Sequence, residues 1–252
     1  MNLSIRLQTI ADMVPAGAKM ADIGTDHGHL PIWLVQSGKI RHAVAMDVGE
    51  GPLSRAQHAI RQCHLTKHIE TRLSDGAASL MPGEVDTIVI AGMGGALIQK
   101  IMGEGRHMWD SVSHWIISPQ SEQGETRHWL EQNGFCIAGE DMVLDGGKYY
   151  VIMDVIRGTM CYQYEYEYTY GSELIRSRHP VLQEYLKKEQ EKIKELLSVL
   201  ERKSGGQKDE NADTRLHARM EELQDRYSQA LAAWNAMQNC QLKPEKYIER
   251  KN

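Results

Sequence analysis

Carboxylates and glycines near the amino terminus have the spacing of a nucleotide-type cofactor site. Residues 20–28 read Met-Ala-Asp-Ile-Gly-Thr-Asp-His-Gly, and Asp47 ends the next apolar run. This is a short buried strand that leads into a glycine turn, with an acid one strand–helix unit later. Asp47 follows Gly24 by 23 positions (47 − 24), close to the ~20-residue offset of an acid that binds ribose hydroxyls.

The charge of the turn distinguishes between two cofactors. Asp26 stands where dinucleotide-binding turns carry a second glycine, and its negative charge would repel a pyrophosphate. S-adenosylmethionine has no phosphate, and its sulfonium and ammonium groups are cationic. The turn therefore favours S-adenosylmethionine over NAD.

Four predicted strand ends supply the candidate cofactor site, because the carboxyl ends of parallel strands meet at one edge of a sheet. Asp47 would accept hydrogen bonds from the ribose, and Asp75 from the adenine amine. The side-chain-poor loop 91–95 would let ligands approach the backbone. One acidic strand end is more often solvated or a helix cap, whereas four in register favour a site. The predicted cofactor-binding residues are Asp22, Gly24, Thr25, His27, Asp47, Asp75, Gly76, Ala91, Gly92 and Met93.

Two other chemistries are disfavoured by the same residues. Gly92-Met-Gly-Gly95 resembles a phosphate-binding loop, but the Lys-Ser/Thr of a P-loop does not follow it. His27 and His29, beside Asp26, suggest a metal, but the i, i+2 spacing of the two histidines and the lack of a further ligand nearby in sequence disfavour one, and no metal is predicted. His27 is interpreted as a polar wall of the pocket or simply a turn residue.

Strands and helices alternate through the first 157 residues, after a leading amphipathic helix marked by Leu3, Leu7, Ile10 and Val14. The tight turn Asp145-Gly146-Gly147 predicts a closing antiparallel hairpin. These features predict an α/β fold, a Rossmann-like class I methyltransferase sheet that is parallel except for its terminal hairpin. The predicted strands are 19–24, 42–47, 69–74, 86–91, 114–118, 136–144 and 149–156, and the predicted helices are 30–36, 53–62, 94–102 and 122–133.

The remaining residues form a second predicted region. Residues 162–170 alternate tyrosine with polar residues, which predicts an extended link; stacking of these rings on RNA bases is the alternative. Two apolar stripes at helical spacing flank the polar turn Ser204–Asn211, which predicts an antiparallel coiled-coil hairpin. Its role is either packing alone or the orientation of a partner or RNA. The predicted domains are 1–158, the methyltransferase domain, and 159–252, the linker and hairpin. The stripes contain Leu182, Leu186, Ile193, Leu196 and Leu200, and then Leu216, Met220, Leu223, Tyr227, Ala230, Trp234 and Met237.

Bulk composition is that of an ordinary globular chain. The 252 residues carry a net charge of −5, with the acidic excess in residues 1–158, so any nucleic-acid contact must use a local basic patch. The four cysteines form no CxxC pair, and no 18-residue apolar run or signal-peptide core is present. We therefore expect a cytoplasmic protein with no disulfide framework and no membrane segment.

Four segments together resemble the bacterial family of tRNA (adenine-22, N1)-methyltransferases. They are residues 22–31 (Asp-Ile-Gly-Thr-Asp-His-Gly-His-Leu-Pro), 51–53 (Gly-Pro-Leu), 90–95 (Ile-Ala-Gly-Met-Gly-Gly) and 119–120 (Pro-Gln). The resemblance covers essentially the whole chain, including the helical hairpin. It implies S-adenosylmethionine as cofactor, tRNA as partner and no stable protein partner.

The resemblance also gives roles to individual residues. Asp26 is the candidate catalytic residue, either balancing the positive charge of the methylated base or holding the cofactor's ammonium group. Pro119 and Gln120 would form a wall of the substrate pocket, with Gln120 bonding to an adenine edge; a plain turn at the end of the strand is the alternative. Arg6 and Arg127, with Arg106 and His128, are the candidates for holding tRNA phosphates; the alternative for each is a solvated surface charge.

Two other functions remain open from the residues themselves. The acidic first domain would also suit a methyltransferase of a small molecule. A non-catalytic RNA- or protein-binding module that retains a cofactor fold is the third possibility.

Overall fold

A computed structural model describes residues 2–203 and 210–239. In this part of the chain, seven strands form one sheet: β1 (Lys19–Ile23), β2 (His42–Asp47), β3 (Ile69–Leu73), β4 (Thr87–Met93), β5 (His114–Pro119), β6 (Phe135–Asp145) and β7 (Lys148–Arg157). The helices are α1 (Ile5–Met13), α2 (His29–Gln36), α3 (Glu50–Gln62), α4 (Gly95–Glu104), α5 (Gln123–Gln132), α6 (Glu165–Tyr170), α7 (Ser172–Arg176), α8 (Pro180–Lys203) and α9 (Glu210–Asn239). Both ends of every strand agree with the sequence prediction to within two residues.

The sheet has the strand order β3-β2-β1-β4-β5-β7-β6. β1 to β5 pair in parallel, whereas β7 is antiparallel to both β5 and β6. The reversal follows from the turn between β6 and β7, where Gly146 and Gly147 both have positive φ (57° and 79°). Such a turn joins neighbouring strands directly, while parallel strands need a crossover helix. The predicted Rossmann-like, mostly parallel sheet is thus confirmed.

The middle of the sheet is buried on both faces. Residues 87–90 of β4 (Thr-Ile-Val-Ile) are all buried, as are residues 115–119 of β5. A strand covered by helices on both sides needs an uninterrupted apolar run, and β-branched residues pack well on its pleated surface. This rigid centre holds the loops at the carboxyl edge in place.

α3 shows how the helices leave one face for function. Leu53, Ala56 and Ile60 are buried, and their spacing of three and four residues places them on one side of the helix. The helix begins at Glu50, three residues before the prediction, because Pro52 is tolerated in a first turn, where a backbone N–H has no partner within the helix. Its opposite face carries Arg55 and Arg61, which are both exposed.

The chain divides into two compact units, of which the first ends at Cys161 and the second begins at Tyr162. The second unit corrects one prediction: residues 165–170 form α6 and not an extended link. The Glu167 carboxylate accepts from the backbone N–H of Tyr164 (3.0 Å), which caps the first turn, and Thr169 donates to Gln229 of α9 (2.8 Å). These contacts outweigh the period-two pattern.

α8 and α9 run antiparallel and pack together within the second unit. Gln190 donates to the carbonyl of Ala230 (3.4 Å), and Arg226 forms an ion pair with Glu189, whose side chain is 6% exposed. Much of the predicted stripes is buried, namely Leu182, Leu186, Ile193, Leu223, Ala230 and Met237, whereas Leu196 is 39% exposed. Of the predicted polar turn, residues 204–209 lie outside the described residues.

No helix in residues 2–203 and 210–239 combines the length and apolar character that crossing a membrane requires.

Candidate active site

The register of the sheet brings the predicted strand ends to one edge. Ile23 pairs with Met46 of β2 and with Ile90 of β4, and Asp47 pairs with Leu73 at the end of β3. Beyond a bulge in β4, Met93 pairs with Pro119, the last residue of β5. The segments that follow β1 to β5 therefore all begin at the carboxyl edge of the parallel sheet, where ligands bind in open α/β folds.

Two carboxylates give this edge a negative character. Asp22 on β1 is only 9% exposed. Burial raises the pKa of Asp22 from 3.8 to about 6, the nearby Thr25 side chain opposes the rise, and the negative charge of Asp47 adds to it. A buried carboxylate that also senses a second carboxylate is stabilised by a cation, so this end of the site favours a positively charged ligand.

Asp47 is held in a defined orientation at the end of β2. Its Oδ1 accepts a hydrogen bond from the backbone N–H of Gly49 at 2.7 Å. Its backbone carbonyl accepts from the N–H of Ser74, the residue after β3 (2.9 Å). This hydrogen bond uses one carboxylate oxygen of Asp47, and the other oxygen can accept from a ligand.

The turn after β1 needs glycine for two reasons. Gly24 has φ of +81°, where residues with a Cβ are strained, and a Cβ there would overlap the Cε methyl of Met93. The N–H groups of Gly24 and Thr25 both donate to the carbonyl of Met46, at 2.8 and 2.9 Å. The backbone of the turn is therefore fixed to β2, and Gly24 lies against the side chain of Met93.

The loop after β4 exposes its backbone beside a buried guanidinium nitrogen. Gly92 is exposed and has φ of +83°; a Cβ built on it would lie 3.7 Å from Nη1 of Arg6 and 3.9 Å from Nε2 of Gln120. Nη1 of Arg6 is buried without a hydrogen-bond partner among the described residues, and its guanidinium carbon lies 4.9 Å from the Tyr150 ring centroid. An unsatisfied buried donor is costly, so this corner suits a ligand with an acceptor atom.

The third strand end is more open than the others. Asp75 is exposed, and Gly76 has φ of +54° with its Cα facing Ile101 of α4, since a Cβ there would lie 3.1 Å from that side chain. Ser74 braces the turn by donating from its hydroxyl to the carbonyl of Gly76 at 3.0 Å. The acid and the glycine thus lie at the carboxyl edge, directly after β3.

Asp26, the candidate catalytic residue, has a partner that the sequence did not indicate. Its Oδ1 accepts from Nε of Arg55 at 2.9 Å and forms an ion pair with Nη2 of the same residue at 2.9 Å. Both contacts use one oxygen, which leaves Oδ2 for another group. The neighbouring His27 stacks on His29 with ring centroids 5.4 Å apart.

The predicted tRNA-phosphate contact of Arg127 is contradicted by the structure. Its side chain is fully buried and forms an ion pair at 2.8 Å with Glu140 of β6, which is also fully buried. A side chain without exposed surface does not reach a tRNA phosphate, so the expectation for Arg127 is wrong. Arg106 lies over the Trp109 ring (5.3 Å).

Sequence reasoning missed two members of this region. Tyr150 lies under Arg6, and Arg55 holds Asp26 across 29 positions of sequence. The alternation along β7 signalled only that Tyr150 lies on a strand face. Nothing in the sequence pairs Arg55 with Asp26, because the contact depends on how α3 packs. Within residues 2–203 and 210–239, no cluster of three or more His, Cys, Asp or Glu side chains is arranged to hold a metal ion.

Comparisons with known proteins agree with the Rossmann-like fold of residues 1–158. Residues 3–153 match the family described as a methyltransferase domain. The chain is 37% identical over 153 residues to the tRNA (adenine(22)-N(1))-methyltransferase of Bacillus subtilis, a match that spans 61% of this chain and 64% of the relative's length. The crystal structure of the B. subtilis M1A22 tRNA methyltransferase covers 92% of this chain and 99% of its own, with a TM-score of 0.77 and 30% identity. The chain belongs to the tRNA (adenine-22, N1)-methyltransferase family. The family resemblance seen in the sequence is thus confirmed.

A second solved structure bears on the cofactor. A Streptococcus pneumoniae protein in complex with S-adenosyl-L-methionine is 31% identical, with a TM-score of 0.80, and the match covers 92% of this chain and all of that one. A solved relative that shares this fold over most of the chain is thus known with S-adenosyl-L-methionine bound. The roles of the individual residues named above stay predictions.

Proposed function

We propose that this protein transfers a methyl group from S-adenosylmethionine to N1 of the adenine at position 22 of tRNA. The observation that carries the proposal is the pair formed by Asp22 and Asp47 at the carboxyl edge, one buried with a raised pKa and the other oriented by Gly49. This pair suits a cationic ligand with ribose hydroxyls. The B. subtilis relative bears the name of this activity, and the S. pneumoniae relative was solved with this cofactor.

The residues of the edge fit the cofactor group by group. Asp47 accepts from the ribose hydroxyls, and the negative charge of Asp22 favours the cationic end. Gly24 packs against Met93 with no space for a Cβ, Gly92 presents an exposed backbone to the ligand, and Asp75 accepts from the adenine amine. When bound, S-adenosylmethionine supplies a methyl group on a positively charged sulfur. The remaining members are Thr25, His27, Gly76, Ala91 and Met93, which form the walls of the same edge.

The chemistry of the target adenine determines what the protein must do for methyl transfer. N1 of adenine carries an in-plane lone pair, so no general base has to deprotonate it before attack. The protein therefore has to position N1, and alignment of reactants can be worth up to ~7–11 kcal/mol. We assign this positioning to the corner formed by Arg6, Gln120 and Pro119, which faces the exposed backbone at Gly92.

The product is a cationic N1-methyladenine, so positive charge moves onto the base during transfer. A fixed carboxylate beside the base would stabilise that charge. Asp26 remains the candidate, because its contacts with Arg55 hold one oxygen and leave the other available. N1 is concealed in a base pair, so the adenine must be unpaired or flipped out before it reacts.

The second unit is assigned to tRNA orientation. The antiparallel packing of α8 and α9 and the buried stripe that includes Leu186 and Leu223 support a coiled-coil hairpin. In this proposal residues 1–158 bind the cofactor and perform catalysis, and residues 159–252 help to orient the tRNA. Hydrogen exchange of the full chain tests the second role: tRNA should slow exchange in α8 or α9, and unchanged exchange there would leave the hairpin a purely structural element.

Methylation of unfractionated tRNA, followed by mass-spectrometric mapping of the modified nucleosides, tests the main proposal. We expect one N1-methyladenosine per accepting tRNA, at position 22. Protein that binds S-adenosylmethionine by calorimetry but leaves tRNA unmodified would point to a small-molecule substrate. Absence of cofactor binding would point to a non-catalytic module.

A further inference from the structure

The faces of α2 and α3 enclose a pocket of about 620 Å³ beside the turn that carries Asp26. The pocket lies within the first unit, and every charged residue in its lining is basic or a histidine. The donors come from two places: Arg55, His58 and Arg61 on α3, and His27 and His29 at the start of α2.

The three α3 residues share a face because of their spacing. Positions 55, 58 and 61 are three residues apart, so they form one row along the helix, spanning roughly 9 Å at 1.5 Å per residue. The row lies opposite Leu53, Ala56 and Ile60, which are buried against the sheet. Packing therefore does not account for the basic residues.

The row of Arg55, His58 and Arg61 is basic, whereas the molecule as a whole is negatively charged. The chain has a net charge of −5, so an RNA-binding surface has to be a local basic patch. Asp26 neutralises Arg55 in part through the 2.9 Å ion pair. Arg61 is exposed and lies at the carboxyl-terminal end of α3, where a cation is favoured by the helix dipole.

The pocket also contains flat aromatic surfaces. The His27 and His29 rings stack at 14° with centroids 5.4 Å apart. Aromatic planes next to guanidinium groups suit an RNA strand, because unstacked bases lie on such planes while phosphates meet the cations. A simple inorganic anion would need only the cations.

We propose that this pocket binds the sugar-phosphate backbone of the tRNA strand next to the target adenosine. The inference rests on the proposed function and specifies where the nucleic acid lies. The link is the turn Asp26-His27-Gly28: it follows β1 at the catalytic edge and also begins the wall of the pocket. A strand that leaves the active site on this side meets Arg55 first and Arg61 last.

The salt dependence of tRNA binding tests the proposal. Full-length wild-type and Arg61→Gln proteins are titrated with an unmodified tRNA transcript at several KCl concentrations and constant pH. Loss of one phosphate contact lowers the slope of log K against log[salt] by about 0.7–0.9. If the two lines meet at 1 M salt, binding at ~0.1 M is weakened about five- to eightfold.

Two further variants show whether a change in tRNA binding comes from charge in this pocket or from the total charge of the protein. Arg41→Gln is the matched control, since Arg41 is equally exposed and lies just before β2, at the opposite edge of the sheet. It should retain the wild-type slope. Arg61→Lys should also retain it, because the positive charge remains. S-adenosylmethionine affinity and thermal unfolding should be the same for all three variants.

The outcomes distinguish this inference from the proposed function. If the wild type methylates tRNA and Arg61→Gln binds it with an unchanged slope, the pocket proposal is overturned and the enzyme assignment stands. Equal losses in Arg61→Gln and Arg41→Gln would also overturn it. A wild-type protein that neither binds nor methylates tRNA would overturn both. If inorganic phosphate binds the pocket while Arg61→Gln keeps the wild-type tRNA slope, the site takes free anions and the RNA proposal fails.

Discussion

Replacing Asp22 by asparagine should stabilise the cofactor-free protein above pH 6. Burial raises the pKa of Asp22 from 3.8 to about 6, so the folded state binds the proton more tightly than the unfolded state. The stabilisation from this proton is fully present below pH 3.8 and is lost as the pH rises through 6. Above pH 6 the folded protein contains a buried carboxylate at a cost that asparagine avoids.

The size of the effect follows from the two pKa values. Each pKa unit corresponds to 1.36 kcal/mol, so the difference between 3.8 and about 6 amounts to about 3 kcal/mol at most. A buried amide also has to be desolvated, and we therefore expect a gain of roughly 1–3 kcal/mol in the free energy of unfolding. The corresponding gain near pH 4 should be close to zero.

Urea unfolding of the cofactor-free protein between pH 4 and 8 measures this difference. Asp75→Asn is the matched control, because Asp75 is exposed and has no burial cost to relieve. The same Asp22→Asn variant should bind S-adenosylmethionine more weakly than wild type, since it lacks the negative charge that favours a cation. An Asp22→Asn protein that is less stable than wild type at pH 7.5, or whose advantage is independent of pH, would refute the reasoning.

Three other substitutions test the site and its support. Asp47→Ala should weaken S-adenosylmethionine binding about 10-fold or more, because hydrogen bonds to a charged group contribute ~1.5–3 kcal/mol each. Calorimetry measures the affinity, and an unchanged affinity would remove Asp47 from the site. Gly24→Ala should lower the free energy of unfolding by about 1–3 kcal/mol through its positive φ and the Met93 overlap, and adding Met93→Ala should recover only the overlap part, as measured by urea unfolding. Arg127→Ala should cost about 3–5 kcal/mol, because it leaves Glu140 buried without its partner; a loss below ~1 kcal/mol in the same assay would contradict the assignment of Arg127 to the core.

Much of the first unit was predictable from local patterns. The apolar run of β4 and the Gly146-Gly147 turn each determine a local structure, and the alternation of strands and helices then leaves few arrangements of the sheet. The position of the candidate site residues at one edge was predictable for the same reason, since parallel strands place the residues that follow them at one side. Asp22, Gly24 and Asp47 accordingly lie together.

The errors arose where a helix cap or contacts between elements overrode the hydrophobic or polar pattern. The tyrosine alternation of residues 162–170 indicated an extended segment, but the Glu167 cap and the contact of Thr169 with α9 stabilise a helix. Arg127 looked like a surface cation, because an isolated arginine in an amphipathic helix usually is one. Its partner Glu140 lies on β6, 13 residues away, and only the packing of α5 on that strand buries both.

The sequence by itself determined the type of fold and the position of the acidic residues Asp22 and Asp47 at the carboxyl edge of the parallel sheet. Both features depend on the period of the apolar residues and on residues that are neighbours in the chain, and both can be read directly from the sequence. Only the tertiary structure decided which cations are free to meet a nucleic acid: Arg127 is buried, Arg6 lies beside Gly92, and Arg55 and Arg61 line a pocket. The physical reason is that the environment of a long charged side chain is set by whichever elements pack around it, and those elements come from anywhere in the chain.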